Sequence, residues 1–346
     1  PASRHPELVS GPITMDAVIK KLQKATENTD YEGRLYLVGG IVRDKHLDTQ
    51  PDEDIDIVLE GDAAGLARFL FERGVADYPP VAYPRFGTAM VIVDGRQVEL
   101  VGARKESYDR DSRKPSTERG TLLDDVLRRD FTINTLLENL HTGDVLDLTG
   151  RALADIRDRI IRTPKDPLAT FDDDPLRMLR AIRFSSRLGF TIDPDTLDAI
   201  RGRAPRLKII SAERIRVEFV KILMGPNAVA GLEMLRETGL LREFAPELAA
   251  MHGVAQNIYH IYDVWTHSLK TLESIPAESG IILRLAALLH DLGKVETRST
   301  DDRGGIHFYR HEAVGAEIAR RFMQRLKFSN SDITRVAFLI SMHLRV

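Results

Sequence analysis

The chain has 346 residues, 43% of them apolar, enough to bury more than one core and to suggest two or three domains. Its formal net charge of -3 excludes a global basic field for nucleic acid, so any such surface must be local. The absence of cysteine excludes disulfides, thiolate zinc sites and cysteine nucleophiles, leaving His, Asp and Glu as metal ligands. No apolar run is as long as a membrane span and the start lacks a signal-peptide profile, which reads as a cytoplasmic chain with no membrane partner. Pro1 stands where Met is expected, and "LISMHLRV" stops inside an apolar helical pattern. Both features read as a processed or truncated chain whose last domain is incomplete.

A helical pattern runs from Asp16 to about Asn28. Four strand-like runs follow with helices between them: "RLYLVGG", "DIDIVLE", "TAMVIVDGRQVELV" and "DVLDLTG". This predicts an α+β domain. Gly39 and Gly40 close the first run and open a helix containing Arg43. Backbone N–H groups can approach a phosphate closely there, and the helix N-terminus adds partial positive charge. A tight turn without a ligand is the plainer reading of a lone glycine pair.

Alternation along the second run puts Asp54 and Asp56 on one face, roughly 6–7 Å apart, with Ile55 and Ile57 toward the core. Two like charges so placed repel unless a cation sits between them, and oxygen ligands suit Mg2+ ions that also hold substrate phosphates. Asp94-Gly95 predicts a hairpin turn, which returns Glu99 as the third carboxylate of a two-metal clamp for phosphoryl or nucleotidyl transfer. An acidic, solvated strand edge is the plainer alternative. The stretch 106–122 is polar and broken by Pro115 and Gly120, which predicts a mobile surface loop able to close over a substrate.

In "LRRDFTINTL", Arg128, Arg129 and Asp130 precede an apolar run, expected to be helical, that includes Asn134. Guanidinium forks suit triphosphate oxygens, and an adjacent carboxylate can accept from a ribose hydroxyl. After Gly150 strand signals vanish and short helices follow, punctuated by Pro and Gly. "DDDPLRMLRAIRFSSRLGF" puts Arg177, Arg180, Arg183 and Arg187 along one helical face, with Asp173 and Asp174 expected to cap its start. Residues 151–216 hold 15 Lys and Arg against 10 Asp and Glu, a local basic excess that a polyanionic partner would neutralise. A wet helix face is the plainer reading.

"VGGIVRD", "DIDIV", "RRDFTIN", "DDDPLRMLRAIRF" and "SAERIRVEF", in this order over about residues 30–245, resemble the motifs of bacterial-type (class II) tRNA nucleotidyltransferases and the related poly(A) polymerases. The resemblance implies a polymerase β-like nucleotidyltransferase head followed by all-helical neck, body and HD domains. It implies that Asp54 and Asp56 hold the catalytic metals with Glu99 as the third carboxylate. It further implies nucleotide contacts at Gly39, Gly40, Arg43, Arg128, Arg129, Asp130, Asn134, Asp173, Asp174, Arg177 and Arg180. Asp174 and Arg177 would read the Watson–Crick edge of CTP or ATP without a template strand. Asp173 departs from the family's usual glutamate. The partners implied are tRNA, CTP and ATP, and the cofactor is Mg2+.

His290-Asp291 in "LLHDLGK", with His267 upstream and His311 downstream, resembles the HD phosphohydrolases over about residues 260–346. That implies a possible divalent transition metal at these four residues. The usual late Asp ligand is not found before the chain ends; His343 or residues further on would have to supply it. The expected organisation is a helical extension over 1–29, a head over 30–160, a neck over 161–225, a body over 226–260 and an HD domain over 261–346. Expected activity is addition of C, C and A to the tRNA 3′ end. The alternatives are a poly(A) polymerase, a CC-only or A-only enzyme, an HD phosphohydrolase, and an RNA-binding module without catalysis.

Overall fold

The computed structural model describes residues 14–47, 49, 54–109, 112–256 and 261–344. The chain divides into two compact units, Pro1–Lys165 and Asp166–Val346. Part of the expected N-terminal extension, residues 1–13, lies outside the described residues.

The first unit opens on helix α1 (Met15–Thr26), capped by the Thr14 hydroxyl and followed by β1 (Leu35–Val38). Next come α2 (Gly40–His46), β2 (Ile55–Leu59) and α3 (Ala63–Glu72). Strand β3 (Val81–Tyr83) leads into the hairpin of β4 (Thr88–Val93) and β5 (Arg96–Gly102). Asp94 and Gly95 turn that hairpin with φ of 51° and 76°, the paired positive values of a type I′ turn. Then come β6 (Arg104–Asp109), β7 (Ser112–Arg119), α4 (Leu122–Leu127), β8 (Leu137–Asn139), β9 (Val145–Leu146) and α5 (Ala152–Asp158).

Seven of these strands form one sheet in the order β3-β4-β5-β2-β1-β8-β9. Strand β2 runs antiparallel to β1 and parallel to β5, with Asp56 opposite Glu99. The expected alternation holds: Ile55, Ile57, Val98 and Leu100 are buried, while Asp54 and Glu99 are exposed and Asp56 lies between those extremes. Beneath one sheet face Val38, Val58, Ala103, Val126 and Leu137 form a buried cluster. At about 25 cal/mol per Å2 of apolar surface removed from water, such residues provide the main favourable term anchoring the strands that carry the carboxylates.

Two segments of this unit differ from expectation. The stretch read as a loop over 106–122 is largely an antiparallel two-stranded ribbon, with Arg104 opposite Arg119 and Ser107 opposite Ser116. Strand pairing satisfies its backbone groups without an apolar face, so its polar composition concealed it. The apolar run after Asp130 is one 3-10 turn, Thr132–Asn134, followed by β8, because β8 completes the ladder on the free edge of β1.

The second unit is helical: α6 (Pro167–Asp173), α7 (Leu176–Leu188), α8 (Pro194–Arg203), α9 (Ala212–Leu223) and α10 (Ala228–Glu237). It continues with α11 (Leu240–Phe244), α12 (Pro246–Ala249), α13 (Val264–Glu273) and α14 (Ile281–Leu289). Last are α15 (Lys294–Thr297), α16 (His311–Arg325) and α17 (Asn330–Met342). Strand structure does not vanish after Gly150. A ribbon of Arg298–Thr300 and Ile306–Phe308 closes through a turn in which Asp301 Oδ1 accepts from the Arg303 and Gly305 N–H groups. Among the described residues no helix is long and apolar enough to cross a membrane.

Candidate active site

Gly39 caps α2 with φ 83° and ψ -139°, a conformation that a Cβ would strain. An ideal Cβ there would stand 3.5 Å from Asp56 Oδ2. The turn therefore brings open backbone beside the carboxylate on the neighbouring strand, joining the two features that lie side by side in the sequence.

Asp56, on the central strand of the sheet, is the electrostatic focus of the site. Burial, then the nearby Glu99 and Asp54 carboxylates, push its pKa up to about 6, against the pull of the Arg129 guanidinium. Converging carboxylates whose ionisation is opposed in this way fit a hard divalent cation, which supplies the missing countercharge. The donor set suits an oxygen-ligated ion.

Arg128 and Arg129 do not reach into solvent as isolated forks. Asp125, fully buried on α4, divides its oxygens between them: Arg128 Nε donates to Oδ1 at 3.0 Å and Arg129 Nη2 to Oδ2 at 2.8 Å. Burial opposes ionisation of Asp125, but Arg129 and Arg128 outweigh it and hold the carboxyl below its usual range. The sequence reading missed Asp125, although its spacing of three and four residues from the arginines was a legible signal.

Behind them Arg43, Asn134 and Asp130 join in one buried chain. Arg43 Nη1 donates to Asn134 Oδ1 at 2.7 Å, and Asn134 Nδ2 donates to Asp130 Oδ1 at 3.0 Å. Arg43 Nε also donates to Asp44 Oδ1 at 2.7 Å. Gly40 is the first residue of α2.

In the helical unit Asp174 lies one residue before the Pro175 N-cap of α7, its Oδ1 accepting from Leu176 N at 3.1 Å, and its Oδ2 lies 3.3 Å from Arg214 Nη2. Asp173, expected at the same helix start, instead closes α6. Arg177 is buried, with Nη1 3.4 Å from the Thr170 carbonyl. The expected wet arginine face is split: Arg183 is also buried and pairs with the buried Glu218 at 2.7 Å, while Arg180 lies 3.9 Å from the same carboxylate. Glu218 on α9 provides the countercharge within the fold.

His267, His290, Asp291 and His311, from α13, the end of α14 and the start of α16, come together in the second unit, joined by His343 after α17. His290 Nδ1 donates to the Ala287 carbonyl at 2.9 Å, His311 Nδ1 to Phe308 at 2.8 Å and His343 Nδ1 to Ile340 at 2.7 Å. A carbonyl can only accept, so in the neutral form of each ring Nε2 is left as the acceptor, the arrangement of metal-ligating histidines. Lys294, also missed, sits 2.8 Å from Asp291 Oδ2 and donates to Gln256 Oε1 at 2.7 Å. Burial opposes ionisation of Asp291, yet His290 and Lys294 prevail and hold it well below the usual carboxylate range.

Three family models match the chain: the poly A polymerase head domain over residues 35–162, the probable RNA and SrmB-binding site of polymerase A over 189–251, and the HD domain over 257–346. Both catalytic domain types imply divalent metal use. The A-adding tRNA nucleotidyltransferase of Deinococcus radiodurans is 33% identical over 89% of this chain and 68% of its own length. The tRNA nucleotidyltransferase cca2 of Schizosaccharomyces pombe is 37% identical over 62% of this chain, which spans 48% of that relative. The crystal structure of the Bacillus stearothermophilus CCA-adding enzyme in complex with CTP superposes with a TM-score of 0.67 at 27% identity, covering 94% of this chain and 68% of that one.

Proposed function

Since the chain belongs to the bacterial-type tRNA nucleotidyltransferase and poly(A) polymerase family, we propose that it extends the 3′ end of tRNA with C, C and A from CTP and ATP, without a nucleic-acid template. The observation that carries this reading is the register of Asp56 against Glu99, with Asp54 and the open Gly39 turn beside them. The working division is a head over 30–160, a neck over 161–225, a body over 226–260 and an HD domain over 261–346, acting in the cytoplasm.

Asp54, Asp56 and Glu99 would hold Mg2+, which would supply a lowered pKa at the tRNA 3′-hydroxyl and neutralisation of triphosphate charge. The hydroxyl oxygen bonds to the α-phosphorus as the bond to the leaving pyrophosphate breaks, and the hydroxyl proton passes to water. Arg128 and Arg129, pre-set by Asp125, grip the triphosphate with little entropy left to lose. Gly39 and Gly40 give its oxygens close backbone N–H groups. The Arg43–Asn134–Asp130 chain fixes the Asp130 carboxylate toward a ribose hydroxyl. Arg177 and Asp174 read the base edge, and Asp173 and Arg180 flank them.

Extension of three tRNAs, ending before CCA, after C and after CC, with labelled CTP or ATP, tests the reading. A complete CCA end supports it. Stopping after CC, or accepting only the CC end, makes this a partial enzyme, and a long A-tail makes it a poly(A) polymerase. No extension on any substrate overturns the nucleotidyltransferase reading. The histidine cluster favours a second activity, metal-dependent phosphoester hydrolysis in the HD domain.

A further inference from the structure

We propose that the two-stranded ribbon beside the histidine cluster is a base-binding platform, on which an unpaired nucleobase stacks against Tyr309 while its own phosphate group lies at the cluster. The ligand class is a nucleotide phosphoester. The proposal rests on the reading of the cluster as a phosphoester hydrolase and is independent of nucleotidyl transfer.

One cavity of about 360 Å3 holds both features: Tyr309 and His307 line it together with His290, Asp291, Lys294 and His343. That volume lies within the range of about 300–1,000 Å3 usual for small-ligand sites. Tyr309 is 71% exposed, and a single exposed aromatic by itself needs no explanation. This ring, however, is held in a fixed plane. It stacks on His307, with centroids 5.3 Å apart and planes 9° from parallel. His307 is held in turn by Asp301, whose Oδ2 accepts from His307 Nε2 at 2.8 Å. The Arg303 and Gly305 N–H groups fix Asp301 through its other oxygen. A flat ring pre-set in this way accepts another flat ring with little ordering left to lose, and base–aromatic stacking tolerates any base.

A single residue ties the platform to the cluster. Phe308, between the two rings in sequence, gives its carbonyl to His311 Nδ1 at 2.8 Å, and Lys294 Nζ lies 5.4 Å from the centre of the Phe308 ring. Lys294 also stands 2.8 Å from Asp291 Oδ2. Cationic charge for a phosphate is therefore on the cluster side of the cavity and a flat aromatic surface on the ribbon side. A nucleotide carries the complement of each, a base and a phosphate joined through one ribose.

The test uses the full chain carrying Asp54→Asn and Asp56→Asn, which silence the head. Binding is read by equilibrium dialysis with the non-hydrolysable phosphonate analogue of AMP, and phosphate release in Co2+ with AMP, an RNA trinucleotide bearing a 3′-phosphate, and ribose 5-phosphate, which lacks a base. Tyr309→Ala should weaken analogue binding and raise KM for AMP by about 5- to 100-fold, leave ribose 5-phosphate unchanged, and be rescued by Tyr309→Phe. A loss confined to the trinucleotide assigns the platform to an RNA end rather than a free nucleotide. AMP and trinucleotide both unaffected in Tyr309→Ala, or equal losses with ribose 5-phosphate, overturn the platform. Tyr309-dependent binding of the analogue without phosphate release from any substrate keeps the platform and overturns only the hydrolase reading.

Discussion

Asp56 and Glu99 are register partners on parallel strands β2 and β5, so their carboxylates share the sheet face that Ile55, Ile57, Val98 and Leu100 leave open. The hydrophobic alternation of two strands thus forces like charges together, and the cost falls on Asp56.

That cost predicts a pH dependence of stability. The pKa of Asp56 is raised from 3.8 to about 6, so the metal-free folded state binds more protons than the unfolded chain in between. The stabilisation is fully present below about pH 4 and is lost as pH rises through 6, by about 3 kcal/mol. Chemical denaturation in chelator should show this fall. Asp56→Asn or millimolar Mg2+ should flatten it, while Asp56→Ala should abolish nucleotide addition. An unchanged slope in Asp56→Asn would refute the assignment.

Gly39→Ala should cost about 1–3 kcal/mol of stability, because φ 83° with ψ -139° is nearly closed to residues with a Cβ. Addition should fall further than stability does, since the new methyl stands against Asp56. Thermal melts beside single-turnover rates separate the two effects; a normal rate would show that the turn does not border the reacting groups.

Asp125→Asn should raise KM for the nucleotide about tenfold or more, by releasing two guanidiniums from charge-assisted bonds worth roughly 1.5–3 kcal/mol each. Steady-state kinetics with CTP provides the check. If KM stays put while only the melting temperature drops, Asp125 serves the fold alone.

Arg177→Ala should blur the choice between CTP, ATP and the other nucleotides more than it slows the favoured one. The readout is the ratio of kcat/KM values on a tRNA ending before CCA. Intact ratios would remove the base-reading role.

Arg183→Leu should destabilise the helical unit by about 3–5 kcal/mol, because Glu218 stays buried while Arg180 stands 3.9 Å away. The salt dependence of tRNA binding should not change. A shallower salt slope in a folded Arg183→Leu protein would return Arg183 to the RNA surface.

Much of the site was legible because its signals are local. Alternation over five residues sets the face of Asp56, the Asp94-Gly95 pair sets the return of Glu99, and Gly-Gly after an apolar strand sets the turn at Gly39. The errors came where long-range partners decide. The 106–122 stretch is a ribbon because its two halves pair, and the run after Asp130 turns into β8 because β1 has an edge to fill.

The sequence by itself determined which carboxylates, arginines and histidines are present and which face of its own strand or helix each one takes, since periodicity is a property of a few consecutive residues. Only the tertiary structure decided what meets what. It set Asp56 against Glu99, buried Arg183 on Glu218, and gathered four histidines around Asp291. Apart from His290, which adjoins Asp291, those pairings join residues twenty or more positions apart, and packing and register across elements, rather than local propensity, fix which atoms come within bonding distance.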